Sequence, residues 1–254
     1  MKLLLDIGNT RIKWAVLTEQ GLGAQHAIVH EGFDATQLRS RVLEPCGAIR
    51  QVFVANVAGE ALATIVRQAV NEQWALSPVF ATTRSHCGAI RNAYPDPGKL
   101  GVDRWLAVIG AYALASSAAC VVDIGTAMTI DSLDDSGLHL GGLIVPGPSL
   151  MMDSLLRRTS DIASFSKWRS SHVPHAGTFF ANNTWDCVYQ GALQATAALI
   201  DAAHARLAEQ ITLTVPRLLL TGGASDSIAP LLHAPVQLAP DLVLRGLAVV
   251  AESM

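Results

Sequence analysis

Leu3-Leu4-Leu5-Asp6-Ile7-Gly8-Asn9-Thr10 and Cys120-Val121-Val122-Asp123-Ile124-Gly125-Thr126 are the stretches whose reading decides the fold. In each, a short apolar run enters an acid, then a glycine, then a hydroxyl residue. Each continues into a second β-prone run, Ile12 to Leu17 and Met128 to Leu133. The pattern predicts a β-hairpin in each half, with the acid ending the first strand beside a tight turn. Two such copies predict a duplicated fold with a cleft between the halves.

Working outward, Gln51 to Asn56 predicts a further strand, followed by helical patterns over Gly59 to Trp74 and Val102 to about Ala115. Beyond the second copy, the run Gly141 to Gly147 leads into a predicted helix from Ser149 to about Arg158. An Ala-rich helix is expected from about Asn183 to Glu209. A strand from Pro216 to Leu220 runs into Thr221-Gly222-Gly223, and a short helix begins at Leu242. Strands alternating with helices predict an α/β protein. No low-complexity linker interrupts the chain, so two domains are expected, 1–117 and 118–254, with a short ordered boundary.

Composition excludes several classes. Of 254 residues, 50% are hydrophobic and 15% charged, which suits a well-buried enzyme and not a disordered chain. The net charge of -3, without a basic run, argues against nucleic acid as a partner. Cys46, Cys87, Cys120 and Cys187 are scattered with no CxxC pair, which predicts neither a disulfide framework nor a zinc site and fits a reducing cytoplasm. The start of the chain reaches Asp6 too soon for a signal-peptide core. Trp105 to Val122 carries no charge, but Ala, Ser116 and Ser117 suit bilayer insertion poorly. It is expected to be a buried helix, a turn at the serines and a buried strand, so no membrane partner is expected.

The first turn has a clear chemical use. Successive N–H groups with Asn9 and Thr10 can cradle phosphates where Gly8 admits close approach. Asp6 can hold Mg²⁺ directly or through water, and Lys13 can neutralise phosphate charge. The bland alternative is an ordinary Asn-containing hairpin turn, which the second copy makes less attractive. Gly222-Gly223 is either a plain turn or a flat backbone under an adenine ring. In Leu100-Gly101-Val102-Asp103-Arg104, Asp103 either complements a helix start or, with Arg104, forms a site that takes a proton and grips an anion. Spacing alone favours the helix-start reading. His172 and His175 straddle Pro174 and suit a solvated loop better than a metal site. Asp134-Asp135-Ser136-Gly137 is expected to be a hairpin turn. Trp14, Trp74 and Trp105 are expected in the core.

Taken together, these residues resemble the type III pantothenate kinases, members of the actin, sugar kinase and heat-shock ATPase superfamily. Asp6-Ile7-Gly8-Asn9-Thr10 matches the family's DxGNT, and Tyr94 with Leu100-Gly101-Val102-Asp103-Arg104 matches its Y…LGxDR. Asp123-Ile124-Gly125-Thr126 matches DxGT, Gly142 to Gly147 matches GxIxPG, and Asn183-Thr184 matches a later NT. The resemblance implies a duplicated ribonuclease H-like (actin-like ATPase) fold and ATP-dependent phosphorylation of pantothenate, the first step of coenzyme A synthesis. It implies ATP and Mg²⁺ at Asp6, Ile7, Gly8, Asn9, Thr10, Arg11, Ile12 and Lys13, with Thr126 also on ATP. It makes Asp103 the general base. Tyr94, Gly101, Val102, Arg104 and Thr184 become substrate-site residues, with Arg104 on the pantothenate carboxylate. Asp123 would contribute to a K⁺ or NH₄⁺ site, and the protein would be a homodimer with that pocket near the subunit interface. Trp185 stands where the family has a smaller aliphatic residue, and Thr159-Ser160-Asp161-Ile162 replaces its usual T-A-x-L-P ending. An ATPase or phosphoanhydride hydrolase of the same fold, and a non-catalytic regulatory factor, are the competing readings.

Overall fold

The protein's structure is a computed structural model that describes residues 1–158, 179–211 and 214–253. Thr159–Ile162, His172 and His175 lie outside the described residues. The chain forms two compact units that are discontinuous in sequence. The first comprises Met1–Ser117, Leu133–Gly141 and Asp241–Met254, and the second Ala118–Ser132 and Gly142–Pro240. Leu133–Gly141 and the C-terminal segment therefore pack with the first unit, not with the half in which a cut at 117/118 places them.

The first unit holds a mixed sheet of β1 (Lys2–Ile7), β2 (Arg11–Thr18), β3 (Gly21–Leu22), β4 (His26–Val29), β5 (Gln51–Asn56) and β6 (Val79–Phe80). The order is β3-β2-β1-β5-β6, with β4 also on β2. Strand β1 is central and apolar on both faces, with Leu3, Leu4, Leu5 and Ile7 fully buried, as expected of a strand covered on two sides. It pairs antiparallel with β2 and parallel with β5. One core gathers Leu3, Leu5, Ile7, Ile12, Val52 and Val54 with Leu62, Val66 and Val70 of the covering helix. That layer contains α1 (Ala35–Leu38), opened by an Asp34/Gln37 capping box, and α2 (Glu60–Trp74). Trp14 and Trp105 are buried, whereas Trp74 is only partly so and donates its indole N–H to Gly47 O at 3.1 Å. A short ribbon, β7 (His86–Cys87) with β8 (Ile90–Arg91), precedes α3 (Val102–Ala115). Helix α3 ends at Ser116, whose φ of 45° is left-handed, and β9 (Ala119–Ile124) follows. The uncharged run from Trp105 is thus a helix, a serine turn and a strand, and among the described residues no helix is long and apolar enough to cross a membrane.

The second unit repeats the sheet plan. Strands β9, β10 (Ala127–Leu133), β11 (His139–Pro146), β12 (Arg217–Thr221) and β13 (Val236–Leu238) run in the order β11-β10-β9-β12-β13. Here β9 takes the place of β1, β10 of β2 and β12 of β5, and β9–β12–β13 are parallel as β1–β5–β6 are. Helices α4 (Pro148–Arg158), α5 (Thr184–Gln210) and the single turn α6 (Ser225–Ile228) belong to this unit. Leu193, Ala197, Ile200 and Leu207 of α5 pack on Cys120, Val122, Ile124, Met128 and Ile130. The duplicated α/β architecture matches the expectation from the repeat.

The last helix, α7 (Leu242–Glu252), packs against α3 in the first unit. Glycines make the approach possible: a Cβ on Gly110 would collide with Leu242 O, and one on Gly246 with Leu106 O. Neither backbone carbonyl can retreat without breaking its helix.

Candidate active site

The first turn occupies the end of the central strand. Asp6 is buried, faces Lys13 across the β1–β2 pair, and lies beside Ala55 of β5. Gly8 N–H donates to Arg11 O at 3.0 Å, closing the turn. Asn9, Thr10 and Arg11 are exposed at its tip, and Lys13 is half-buried. Ile7 and Ile12 are paired and fully buried, so their side chains belong to the core and only their backbone borders the turn. Gly8 does not take a positive φ, and a Cβ there would make only an ordinary 3.5 Å contact with Arg11 O. The fold itself therefore does not require glycine at this position. His30, which no short motif points to, supports the turn from beneath. Its Nε2 lies 2.7 Å from Gly8 O, its backbone N–H donates to Thr10 O at 3.2 Å, and its side chain is buried. The only signal for it is long-range: β4 pairs with β2 and carries the chain back past the turn.

A second cluster forms where α3 begins. Gly101 is the N-cap and makes no side-chain capping bond. Asp103 sits in the first turn, where the positive end of the helix dipole favours a carboxylate. Its Oδ1 accepts the Arg104 backbone N–H at 2.8 Å. A Cβ on Gly101 would lie 2.7 Å from that oxygen, so glycine here makes room for the acid. Arg104 is 6% exposed; its Nη1 donates to Tyr94 Oη at 3.0 Å, and the guanidinium carbon lies 6.0 Å from the Tyr94 ring centroid. Tyr94, Gly101, Val102 and Asp103 are half-buried. Asp103 thus complements the helix start, next in sequence to an arginine held by Tyr94.

In the second unit three separated motifs converge on the repeat turn. Gly125 N–H donates to Ala127 O at 3.1 Å, and Gly147 N–H donates to Thr126 O at 2.9 Å. A Cβ on Gly147 would strike Gly125 O. Thr221 pairs with Asp123, and Gly222, at φ +97°, leaves no space for a side chain beside the Asp123 carboxylate. The diglycine thus has a packing reason of its own. Asp123 is half-buried and Thr126 exposed.

Thr184 is the first residue of α5 and is exposed. Asn183 caps that helix by accepting the Asp186 N–H at 2.9 Å, and donates its amide to Asp186 Oδ2 at 2.8 Å. Trp185 is buried, and its indole N–H has no hydrogen-bond partner among the described residues.

The donor sets suit the ions differently. Asp6 offers a hard carboxylate beside an open polar turn, which fits Mg²⁺ arriving with phosphate oxygens, because Mg²⁺ is commonly bound through one or two carboxylates plus phosphates. Asp123 is half-buried beside Gly222, and its carboxylate is a hard oxygen donor of the kind that a K⁺ or NH₄⁺ ion accepts. Among the described residues no three His, Cys, Asp or Glu side chains converge as a self-contained metal cluster.

Comparison with known proteins bears on this geometry. The profile of the type III pantothenate kinase family matches residues 2–206. A type III pantothenate kinase of Nitrosococcus oceani is 36% identical over 99% of this chain and 94% of its own length. One from Aromatoleum aromaticum is 36% identical over 99% and 98%. Among solved structures, a Sinorhizobium meliloti chain assigned as a 2-dehydro-3-deoxygalactonokinase superposes with a TM-score of 0.55 at 15% identity, covering 100% of this chain and 99% of that one. At that identity the likeness speaks for the fold alone.

Proposed function

The chain belongs to the type III pantothenate kinase family, and we propose that it transfers the γ-phosphoryl group of ATP to the primary hydroxyl of pantothenate. The products are 4′-phosphopantothenate and ADP, the first step of coenzyme A biosynthesis. The observation that carries the reading is the start of α3, where an acid and an anchored arginine stand side by side.

Asp103 orients the acceptor hydroxyl and takes its proton as the new oxygen–phosphorus bond forms and the β–γ bridging bond breaks. Arg104, held by Tyr94, grips the pantothenate carboxylate. The backbone from Asp6 to Lys13, with Asn9 and Thr10, seats the ATP phosphates, and Lys13 offsets their charge. Thr126 meets ATP, and Thr184 borders the acceptor pocket. Asp6 would hold Mg²⁺, which would supply charge neutralisation at the phosphates, and Asp123 would hold K⁺ or NH₄⁺. Positioning and charge stabilisation do most of the work in such transfers. Asp103→Asn is expected to lower kcat about 10²–10⁴-fold, the usual worth of a positioned base, with ATP affinity nearly intact. Near-normal turnover in a coupled assay of ATP plus pantothenate would remove Asp103 from this role. ATP consumption indifferent to pantothenate would favour a hydrolase instead.

The protein acts as a homodimer in this reading. Support comes from Leu143 and Ile144 on β11, a sheet edge, and Leu150 and Leu155 on α4, all at least 40% exposed. Large apolar side chains left exposed are available for burial against a second copy of the chain. Sedimentation of a monomer mass at micromolar concentration would refute the dimer. A cytoplasmic location fits the four free cysteines.

A further inference from the structure

We propose that His139 is a positioning residue of the acceptor pocket: its imidazole backs the Tyr94 ring and, through Tyr94, holds the Arg104 guanidinium in place. The inference rests on the reading of Arg104 as the carboxylate-binding residue.

His139 is 0% exposed, and its ring lies 6.1 Å from that of Tyr94 at an interplanar angle of 22°, within the range of offset aromatic stacking. Tyr94 in turn accepts the Arg104 hydrogen bond and underlies its guanidinium. The three side chains are linked pairwise within the first unit, although His139 is 35 or more positions away from the other two.

Two clamps bring the distant segment there. Asp134 Oδ1 accepts the Ser136 N–H, the Ser136 hydroxyl and the Leu138 N–H, each at 2.8 Å. That turn is tied to the β7–β8 ribbon, because Arg91 N–H donates to Gly137 O at 2.9 Å and Arg91 Nη2 to Ser136 Oγ at 3.1 Å. Gly137, at φ +82°, is pressed so close to Ala89 O that a Cβ would sit 2.9 Å away. On the other side, Asn92 Oδ1 accepts the Tyr94 N–H at 2.9 Å while Asn92 N–H donates to Ser85 O at 2.9 Å. The Tyr94 backbone and ring are therefore fixed from opposite directions. Arginine has many rotamers, and freezing one before the ligand arrives removes an ordering cost equivalent to about 2- to 12-fold in affinity. Leucine at 139 would fill space without offering a flat face, whereas phenylalanine would keep it.

The test uses the full chain and compares His139→Leu, His139→Phe and Arg91→Ala. The expected result for His139→Leu is a pantothenate KM raised about 2- to 12-fold, with the ATP KM unchanged. His139→Phe should stay near wild type. With pantothenol, which carries a hydroxyl in place of the carboxylate, the His139→Leu effect should vanish, since Arg104 then has no anion to hold. Arg91→Ala loosens the clamp at the surface without emptying the core, and is expected to raise the pantothenate KM in the same direction. It decides the matter if the leucine variant does not fold. Equal KM values in all variants, or equal losses with leucine and phenylalanine, would overturn the proposal. NMR relaxation of the Arg104 Nε–H separates this from the substrate assignment. If the wild type ignores pantothenate, the substrate reading fails. Positioning then stands or falls on whether Arg104 loses order in His139→Leu or in Arg91→Ala.

Discussion

At Gly8 the backbone does not demand glycine. Its φ is ordinary, and an added methyl would meet nothing closer than 3.5 Å. The space beside it is available to a ligand, which is why DxGNT is informative where many glycines are not. Gly8→Ala is therefore expected to fold with unchanged or slightly raised stability, since the unfolded chain loses freedom. Its ATP KM should rise by about tenfold, equivalent to one lost charge-assisted contact of about 1.5 kcal/mol. Thermal unfolding and ATP titration check the two halves separately, and an unaltered ATP KM would remove Gly8 from the phosphate site. Gly222 is the opposite case. Its φ of +97° and the crowding by Asp123 and Ile124 explain it without any ligand. Asp6, Asp103 and Arg104 could be singled out from the sequence because their motifs are contiguous, although the proposed roles of Asp103 and Arg104 come from the family resemblance. His30 and His139 could not, because each reaches its partner through strand pairing or a clamped turn.

The secondary-structure elements followed the sequence to within a residue or two where local chemistry marks their ends. Asn183 caps α5, Gly59 precedes α2, and Ser116 closes α3 in a left-handed turn. Ties between elements were not marked in this way. Asp201 on α5 accepts the backbone N–H groups of His233 and Ala234 and the His233 ring N–H at 2.7 Å. Burial pushes its carboxyl up, but these hydrogen bonds outweigh burial and hold it below the ordinary value. The sign follows from the depressed value. The stabilisation is present above the unfolded carboxylate pKa of about 3.9 and is lost as pH falls through the lower folded one. Asp201→Ala is expected to cost about 1.5–3 kcal/mol near neutrality and less at pH 3, below the unfolded carboxylate value. Denaturant melts at the two pH values check this; a loss independent of pH would show that packing, not charge, fixes the loop.

For the whole molecule, the two compact units are discontinuous in sequence. Helix α7 returns to the first unit, where Gly110 and Gly246 allow close backbone contact and Lys2 Nζ donates to Ala251 O at 2.5 Å. A fragment of residues 1–117 leaves the buried face of α3 uncovered, and is expected to lack a cooperative thermal transition. Placing Asp241–Met254 ahead of Met1 in that fragment should restore one, and native-like unfolding of the bare fragment would sink the argument. The sequence by itself determined the duplicated α/β plan, the DxGNT and DxGT turns, the spans of the longer helices and the family. Each of those depends on short-range periodicity, strand-end chemistry or contiguous motifs. Only the tertiary structure decided that the C-terminal helix completes the first unit, that GxIxPG and the diglycine close on the second turn, and that His139 stands behind Tyr94. Those placements depend on steric fit and hydrogen bonds between segments far apart in the chain, for which no local pattern exists.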